Sequence, residues 1–451
     1  MARARLRAAR LGRRNPAQVV SLAFTVALLV GTALLMLPPA RSGPGGAPFV
    51  TALFTSASAV CVVGLGLVDT ATYWSPLGQG IIVALVQVGG FGIIVGASLV
   101  GIVVSRRLGL RTRLTAQAET RALDLADVRR VVIGVAVITV VVEAATALVL
   151  TLRLALHYGE PAGLAAWHGV FLAVTSYNNA GFAPYSDNLM GFVSDPVICL
   201  PIGFAVIIGG IGFPVLFELA REWRQPRTWS VHTRTTLIVT AVLLLGGWAF
   251  LTTAEWGNPG TFGPLSAGGK TLAGFFHSVQ PRTAGFNTVD YAQMQPESIL
   301  LTQVLMFIGG GSGSTAGGIR VTTLAVLAFA VRAEVTGSRD VNAFNRRLPM
   351  SAVRQAAVIT VVTGAIALTG TGALLLASDL PFTEASFEII SALGTVGLSL
   401  NVTAGLTGLA PLVVTAVMFV GRLGPVTLGA ALALRETQSL YRLPEERTIV
   451  G

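Results

Sequence analysis

The chain has 451 residues, of which 53% are hydrophobic and 12% charged, roughly half the charged share (about 25%) of an ordinary soluble domain. No stretch carries the charge density of a soluble domain, and long apolar runs dominate instead. The net charge of +10 does not point to nucleic acid, because the bases fall in separate blocks between the apolar runs.

Taken in chain order, the apolar map shows one pattern four times. A long apolar helix is followed by a short one, then a glycine-centred segment, then a second long helix. The first unit runs Val19–Leu37, Pro48–Val60, Cys61-Val62-Val63-Gly64-Leu65 and Leu77–Val104. The second runs Val131–His157, Ala165–Thr175, Asn178-Asn179-Ala180-Gly181-Phe182 and Pro196–Leu219. The third runs Thr235–Thr253, Gly269–Val279, Arg282-Thr283-Ala284-Gly285-Phe286 and Ser298–Val331. The fourth runs Ala352–Leu376, Phe382–Leu393, Gly394-Thr395-Val396-Gly397-Leu398 and Pro411–Arg435. These give repeats over 18–105, 130–220, 234–332 and 352–435, with a basic N-terminal segment over 1–17 and a tail over 436–451.

The long runs are near the ~20 residues that cross a bilayer, whereas the short ones cannot cross and read as re-entrant. The expected fold is therefore all-α, with eight spanning helices and four pore loops around a single pseudo-four-fold pore. Irregular backbone at membrane depth survives only where protein or a wet cavity covers it, so the four glycine segments are expected to line one aqueous path.

The bases support this layout. About 25 of the 31 lie before the first helix or in alternate connecting segments, such as Arg106–Arg130 and Arg221–Arg234. By the positive-inside rule these segments and both termini face the cytoplasm. Val19–Leu37 is long for a signal peptide, and Leu37-Pro38-Pro39 is a poor cleavage site. Cys61 and Cys199 form no disulfide or metal pattern. No paired carboxylate, histidine cluster or nucleophile constellation is apparent inside the apolar segments, so no enzyme chemistry is expected.

A cation that sheds its water needs a ring of oxygens, which backbone carbonyls supply in filters built on a Thr-Val-Gly core. Thr395-Val396-Gly397 contains that core, and Gly64, Gly181 and Gly285 hold the matching place in the other repeats. The competing reading is turn glycines between helices. The glycines of the second helices, Gly89-Gly90-Phe91-Gly92 and Gly209-Gly210-Ile211-Gly212-Phe213, read as close helix packing. The run Gly309-Gly310-Gly311-Ser312-Gly313-Ser314-Thr315-Ala316-Gly317-Gly318-Ile319-Arg320 cannot hold a helix, since each glycine costs ~1 kcal/mol against alanine. It lacks the Gly-Lys-Ser/Thr ending of a phosphate loop. A kinked packing helix is its plainer reading.

Tyr177–Phe182, His277–Asn287 and Ser58–Leu65 resemble the pore loops of the KtrB/TrkH/HKT superfamily of potassium transporters, KtrB above all, over nearly the whole chain. The resemblance implies potassium uptake across the bacterial inner membrane. It implies selectivity-filter carbonyls at Val62, Val63, Gly64, Asn179, Ala180, Gly181, Thr283, Ala284, Gly285, Thr395, Val396 and Gly397, with K+ at the four glycines. It also implies a gate formed by Gly310, Gly311, Ser312, Gly313, Ser314, Thr315, Ala316, Gly317 and Gly318 within 309–320, with Arg422 below the filter.

The resemblance also implies that Arg282 supports the filter, with Glu388 in the fourth pore helix as its expected partner. Partners implied are membrane lipid, a second copy of the chain, and a cytoplasmic KtrA-type ring that binds nucleotides; no nucleotide site is visible here. The Arg106–Arg130 segment and the tail are docking candidates, with anionic lipid as the rival. Members often carry threonine where Val63 stands, so a sodium-coupled or weakly selective sodium/potassium transporter, with sodium as coupled or activating ion, is the alternative. Asp69, Glu160, Asp187, Asp195, Asp290 and Asp379 are expected outside, where they concentrate cations.

Overall fold

The computed structural model describes residues 16–107 and 125–434. The basic N terminus up to residue 15, the centre of the Arg106–Arg130 segment and the C-terminal tail lie outside the described residues.

The described chain is helical apart from one short hairpin. Helix α1 is Pro16–Leu35, α2 Phe49–Val60, α3 Pro76–Arg107, α4 Leu125–Leu156, α5 Ala162–Tyr177, α6 Pro196–Ile211 and α7 Phe213–Glu222. Then come α8 Val231–Glu255, α9 Ala267–Val279, α10 Pro296–Ile308, α11 Val321–Val335, α12 Met350–Ala377, α13 Phe382–Gly394 and α14 Ala410–Leu434. Strand β1, Asn342–Ala343, pairs antiparallel with β2, Arg346–Arg347, placing Asn342 against Arg347 and Ala343 against Arg346. The two turn residues, Phe344 and Asn345, both have positive φ, as a tight hairpin turn requires.

Helices start where the sequence supplies caps. Prolines precede or open α2, α5, α6, α10, α12 and α13, where their missing N–H is not needed. The hydroxyls of Ser230 and Ser266 and the carboxylate of Asp195 accept amides at the starts of α8, α9 and α6. Among the described residues, four helices are long and apolar enough to cross a bilayer, over Gln18–Leu35, Val132–Leu156, Val231–Glu255 and Met350–Ala377. Their outer faces expose large aliphatics: Leu148 is 61% exposed, Val242 63% and Leu368 75%. Such stripes suit lipid, not water.

The short helices α2, α5, α9 and α13 have 12, 16, 13 and 13 residues, too short to cross ~30 Å of hydrocarbon at 1.5 Å per residue. Each packs against the long helix that precedes it. Most of their residues are buried, so they carry the interior of the molecule. The core forms four clusters. Phe24, Leu35, Trp74, Ile82 and Phe171 make one. Phe54, Leu374, Ile389 and Met418 join the first unit to the last. Leu172, Ile202, Phe276 and Phe286 join the second to the third, and Phe262, Met306, Phe387 and Leu398 the third to the fourth.

Two expectations about the second helices meet different outcomes. The interruption of Ser298–Val331 by the 309–320 run is present between α10 and α11. The continuous helix expected over Pro196–Leu219 is not: it breaks at Gly212, and α6 and α7 meet at 98°. Gly212 has φ +103, a conformation that favours glycine. The Gly421–Gly424 stretch stays helical within α14.

Candidate functional site

The four glycine segments begin where the four short helices end. In each, the residue two before the glycine has positive φ: Val62 +57, Asn179 +62, Thr283 +103 and Thr395 +52. The glycine is positive again: Gly64 +97, Gly181 +66, Gly285 +81 and Gly397 +98. Four non-glycine residues at matched places in this uncommon region mark a constraint imposed by their surroundings.

The amides of these loops fold back onto the helix that precedes them. Val62 N–H donates to Ala59 O, and Val63 N–H to Ser58 O at 2.7 Å. Asn179 and Ala180 donate to Ser176 O and Thr175 O, and Thr395 and Val396 to Ala392 O and Ser391 O. In the third loop Thr283, Ala284 and Gly285 all donate to Gln280 O. The glycine amides of loops one and four reach the hydroxyls of Ser58 and Ser391, at 3.0 and 3.1 Å.

The carbonyls are treated differently. Among the described residues, those of Val62, Val63, Gly64, Asn179, Ala180, Thr283, Ala284, Gly285, Thr395, Val396 and Gly397 receive no hydrogen bond; Gly181 O receives a long one from Asn188 Nδ2 at 3.5 Å. Buried carbonyls are nearly always paired. A concentration of donor-free oxygens is therefore unusual, and its chemistry suits a cation.

The loops also close on one another. A Cβ at Gly64 would lie 2.3 Å from Ala180 O, and one at Gly181 2.3 Å from Ala284 O. One at Gly285 would lie 2.0 Å from Val396 O, and one at Gly397 2.2 Å from Val63 O. Each glycine thus abuts the carbonyl before the next glycine, and the fourth returns to the first. This is a closed ring in chain order, which only glycine permits.

On one side of the ring lies a cavity of about 300 Å³, lined among others by Gly64, Gly181, Gly397, Asp69, Ser399 and Asn401. Asp69 accepts from Ala71 N–H at 2.9 Å, Thr72 Oγ1 at 2.7 Å and Ser186 Oγ at 2.5 Å. Partial burial alone would raise its carboxyl, but these three bonds outweigh it and hold the group below its ordinary value of 3.8.

On the other side lies the 309–320 run. A Cβ at Gly317 would sit 2.2 Å from both Gly394 O and Thr395 Oγ1, so the run abuts the start of the fourth loop. Arg422, buried at 2% exposure, donates to Thr315 O and, at 3.5 Å, to Gly89 O. Arg320 donates to Gly311 O at 3.0 Å and to Ser314 Oγ at 3.2 Å. The Ser312 and Thr322 hydroxyls are 2.7 Å apart. Among the described residues neither arginine faces an acidic partner, so two guanidinium charges stand beside the run, bonded to its carbonyls.

The expected Arg282–Glu388 pair is absent. Arg282 donates to Thr240 Oγ1 at 3.1 Å on α8. Glu388 accepts from Thr403 Oγ1 at 2.5 Å, on the turn beyond the fourth loop. Each side chain is taken by its own unit, and neither reaches across.

Some contributors were not singled out by sequence. Ser58 and Ser391 each stand six residues before a ring glycine, a spacing readable in two of the four repeats. Gln280 carries the same task alone in the third loop, and its Oε1 also accepts Phe286 N–H at 3.3 Å. Asn178 Nδ2 is bonded to Gln87 Oε1 at 2.8 Å and Glu143 Oε1 at 3.1 Å, which ties the second loop to α3 and α4. Nothing local signals that tie.

The profile of the TrkH family, described as cation transport protein, matches residues 7–439. The chain belongs to the TrkH family. Ktr system potassium uptake protein B of Bacillus subtilis is 38% identical over 441 residues, covering 97% of each chain. The potassium/sodium uptake protein NtpJ of Enterococcus hirae is 32% identical over 447 residues, covering 97% of this chain and 98% of its own. The crystal structure of the potassium transporter TrkH from Vibrio parahaemolyticus matches the fold with a TM-score of 0.72 at 19% identity, over 93% of this chain and 85% of that one. These TrkH-family relatives are cation transporters, not enzymes, and with its lipid-suited helices this chain is a multi-pass membrane protein.

Proposed function

We propose that this protein takes up potassium across the bacterial plasma membrane through the glycine ring, which acts as a selectivity filter. The observation that carries the reading is the division of labour in the loops. Their amides are spent on the short helices, while their carbonyls stay free of donors and close into a ring. Carbonyl oxygens so arranged replace the water that potassium sheds. The C-terminal ends of α2, α5, α9 and α13 approach the ring and add their negative dipole ends.

In this reading the chain forms four tandem repeats and eight spans around one pore. The bent pair α6–α7 and the interrupted pair α10–α11 each count as one span. Basic loops and both termini face the cytoplasm, and the Asp69 cavity faces outward. The 310–318 run is the gate, held shut by Arg320 and Arg422, whose charges oppose cation passage. The relatives' designation as parts of a Ktr system supports a separate partner subunit, which in this reading is cytoplasmic, regulatory and nucleotide-binding. A homodimer completes the assembly.

Rubidium uptake into proteoliposomes, with potassium or sodium as competitor, tests the proposal. Suppression by potassium and not by sodium supports it; absence of any rubidium flux, with or without the regulatory subunit, refutes it. A second reading, a sodium-coupled or weakly selective transporter, is favoured by Val63 and by the name of the Enterococcus relative. Equal suppression by both ions would select it.

A further inference from the structure

The break at Gly212 and the interruption at 309–320 belong to different units, yet each fills the needs of the other. A helix broken inside a membrane leaves carbonyls at one new end and amides at the other without partners. At the end of α6, Gly210 O accepts Gly311 N–H at 2.8 Å, and Gly209 O accepts Thr315 N–H at 3.3 Å. Gly209 O also accepts Thr315 Oγ1 at 3.0 Å. At the start of α7, Phe213 N–H donates to Gly313 O at 3.0 Å.

The backbones touch along this whole length. A Cβ at Gly311 would lie 2.0 Å from Ile211 O, and one at Gly212 2.6 Å from Ser312 O. An ordinary glycine kink satisfies its freed groups within its own helix or with water. Here the partner is the irregular run between α10 and α11.

The far side of the break is anchored. The ring of Phe217 fills the space beside Gly134 of α4, where a Cβ would lie 2.4 Å from Phe217 Cζ. Glu218 accepts Ser230 N–H at 2.5 Å, Ser230 Oγ at 2.7 Å and Thr233 Oγ1 at 2.5 Å at the start of α8. The break is thus held from its far side by α4 and α8.

We propose that Gly209–Phe213 is the dock of the gate: it positions the 310–315 backbone in the closed place, and opening consists of giving up these four bonds. The inference rests on the gating role given to the loop above, and adds a second-repeat positioning element to it. It explains why glycines lie in both units: the two backbone segments approach too closely for side chains at these positions.

The test uses the full chain in proteoliposomes, with rubidium uptake as the readout. Gly212→Ala places a Cβ against Ser312 O at a φ that alanine resists. It is expected to raise uptake several-fold while the preference for potassium over sodium is kept, since the filter is untouched. Gly246→Ala, in a helix with open space around it, is the control. An Ile211→Cys/Ser312→Cys pair, oxidised and then reduced, gives a second route if the alanine variant folds poorly. Uptake is expected to fall at least about tenfold on oxidation and to return on reduction.

Wild-type uptake by well-folded Gly212→Ala, or by the cross-linked pair with the disulfide verified by mass, overturns the dock. Arg422→Gln, measured in parallel, separates the two levels. If it raises uptake and Gly212→Ala does not, the dock alone fails; if neither changes uptake, the gating reading fails with it.

Discussion

The ring geometry makes Gly397→Ser the sharpest perturbation of the proposed filter. Gly397 has φ +98, and a Cβ there would stand 2.2 Å from Val63 O, 3.1 Å from Val63 C and 3.2 Å from Gly64 Cα. These are backbone atoms, so no side chain can rotate away. The carbonyl of Val63 must retreat by roughly 1 Å to reach ordinary contact. Holding serine at this φ adds about 1–3 kcal/mol of strain. Potassium is told from sodium by the placement of ring oxygens. At the upper end of that range, relieving half of the strain by displacing the ring removes about 1.4 kcal/mol of discrimination, a factor of ten.

Rubidium uptake with potassium and sodium as competitors should show the potassium-to-sodium ratio falling by about tenfold. The matching control is Gly408→Ala. Gly408 also has positive φ, +62, but nothing stands within reach of a Cβ there. It carries the backbone strain without the carbonyl contact, and its ratio should stay at the wild-type value. A Gly397→Ser protein that is folded and keeps its full selectivity, or a Gly408→Ala protein that loses as much, would refute the reasoning.

Other outcomes follow from the same structure. Arg422→Gln removes a buried charge and weakens the bond to Thr315 O, so basal rubidium uptake should rise; normal uptake and normal regulation would show that the charge is no barrier. Asp69→Asn should slow uptake a few-fold at low ionic strength and little in high salt, because its action is long-range attraction. Since the Asp69 carboxyl lies below its ordinary value of 3.8, it stays ionised as the external pH falls, and its contribution is lost only in stronger acid. Asp69-dependent uptake should therefore hold steady between about pH 5 and 8, and a loss within that window would count against the assignment.

Val63→Thr should sharpen potassium discrimination if the missing hydroxyl matters, read from the same competition assay; an unchanged ratio would assign selectivity to the carbonyls alone. Glu255 is fully buried and accepts Asn258 Nδ2 at 2.7 Å, Thr261 Oγ1 at 2.6 Å and Gln295 N–H at 2.9 Å. Glu255→Ala strands three donors at about 1–3 kcal/mol each, so the melting temperature in detergent should drop by several degrees.

Most helices, their order and the four ring glycines were legible in the sequence, the break at Gly212 being the exception. For the helices the reason is local: apolar length decides which segments suit lipid, and proline and capping residues decide where helices begin. The 309–320 run was legible because its glycines forbid a continued helix, and Thr395-Val396-Gly397 because three other repeats carry a glycine at the matching place. What only the tertiary structure decided were the pairings between distant units. Gly209–Phe213 reads as another small-residue packing stretch until the loop at 310–315 is seen to take its bonds. Arg282 and Glu388 read as a pair by charge alone, yet Thr240 and Thr403 stand nearer to hand. The closure of the ring, Gly397 on Val63, joins the last unit to the first, and such contacts depend on how the units are arranged in space, which no local run of residues encodes.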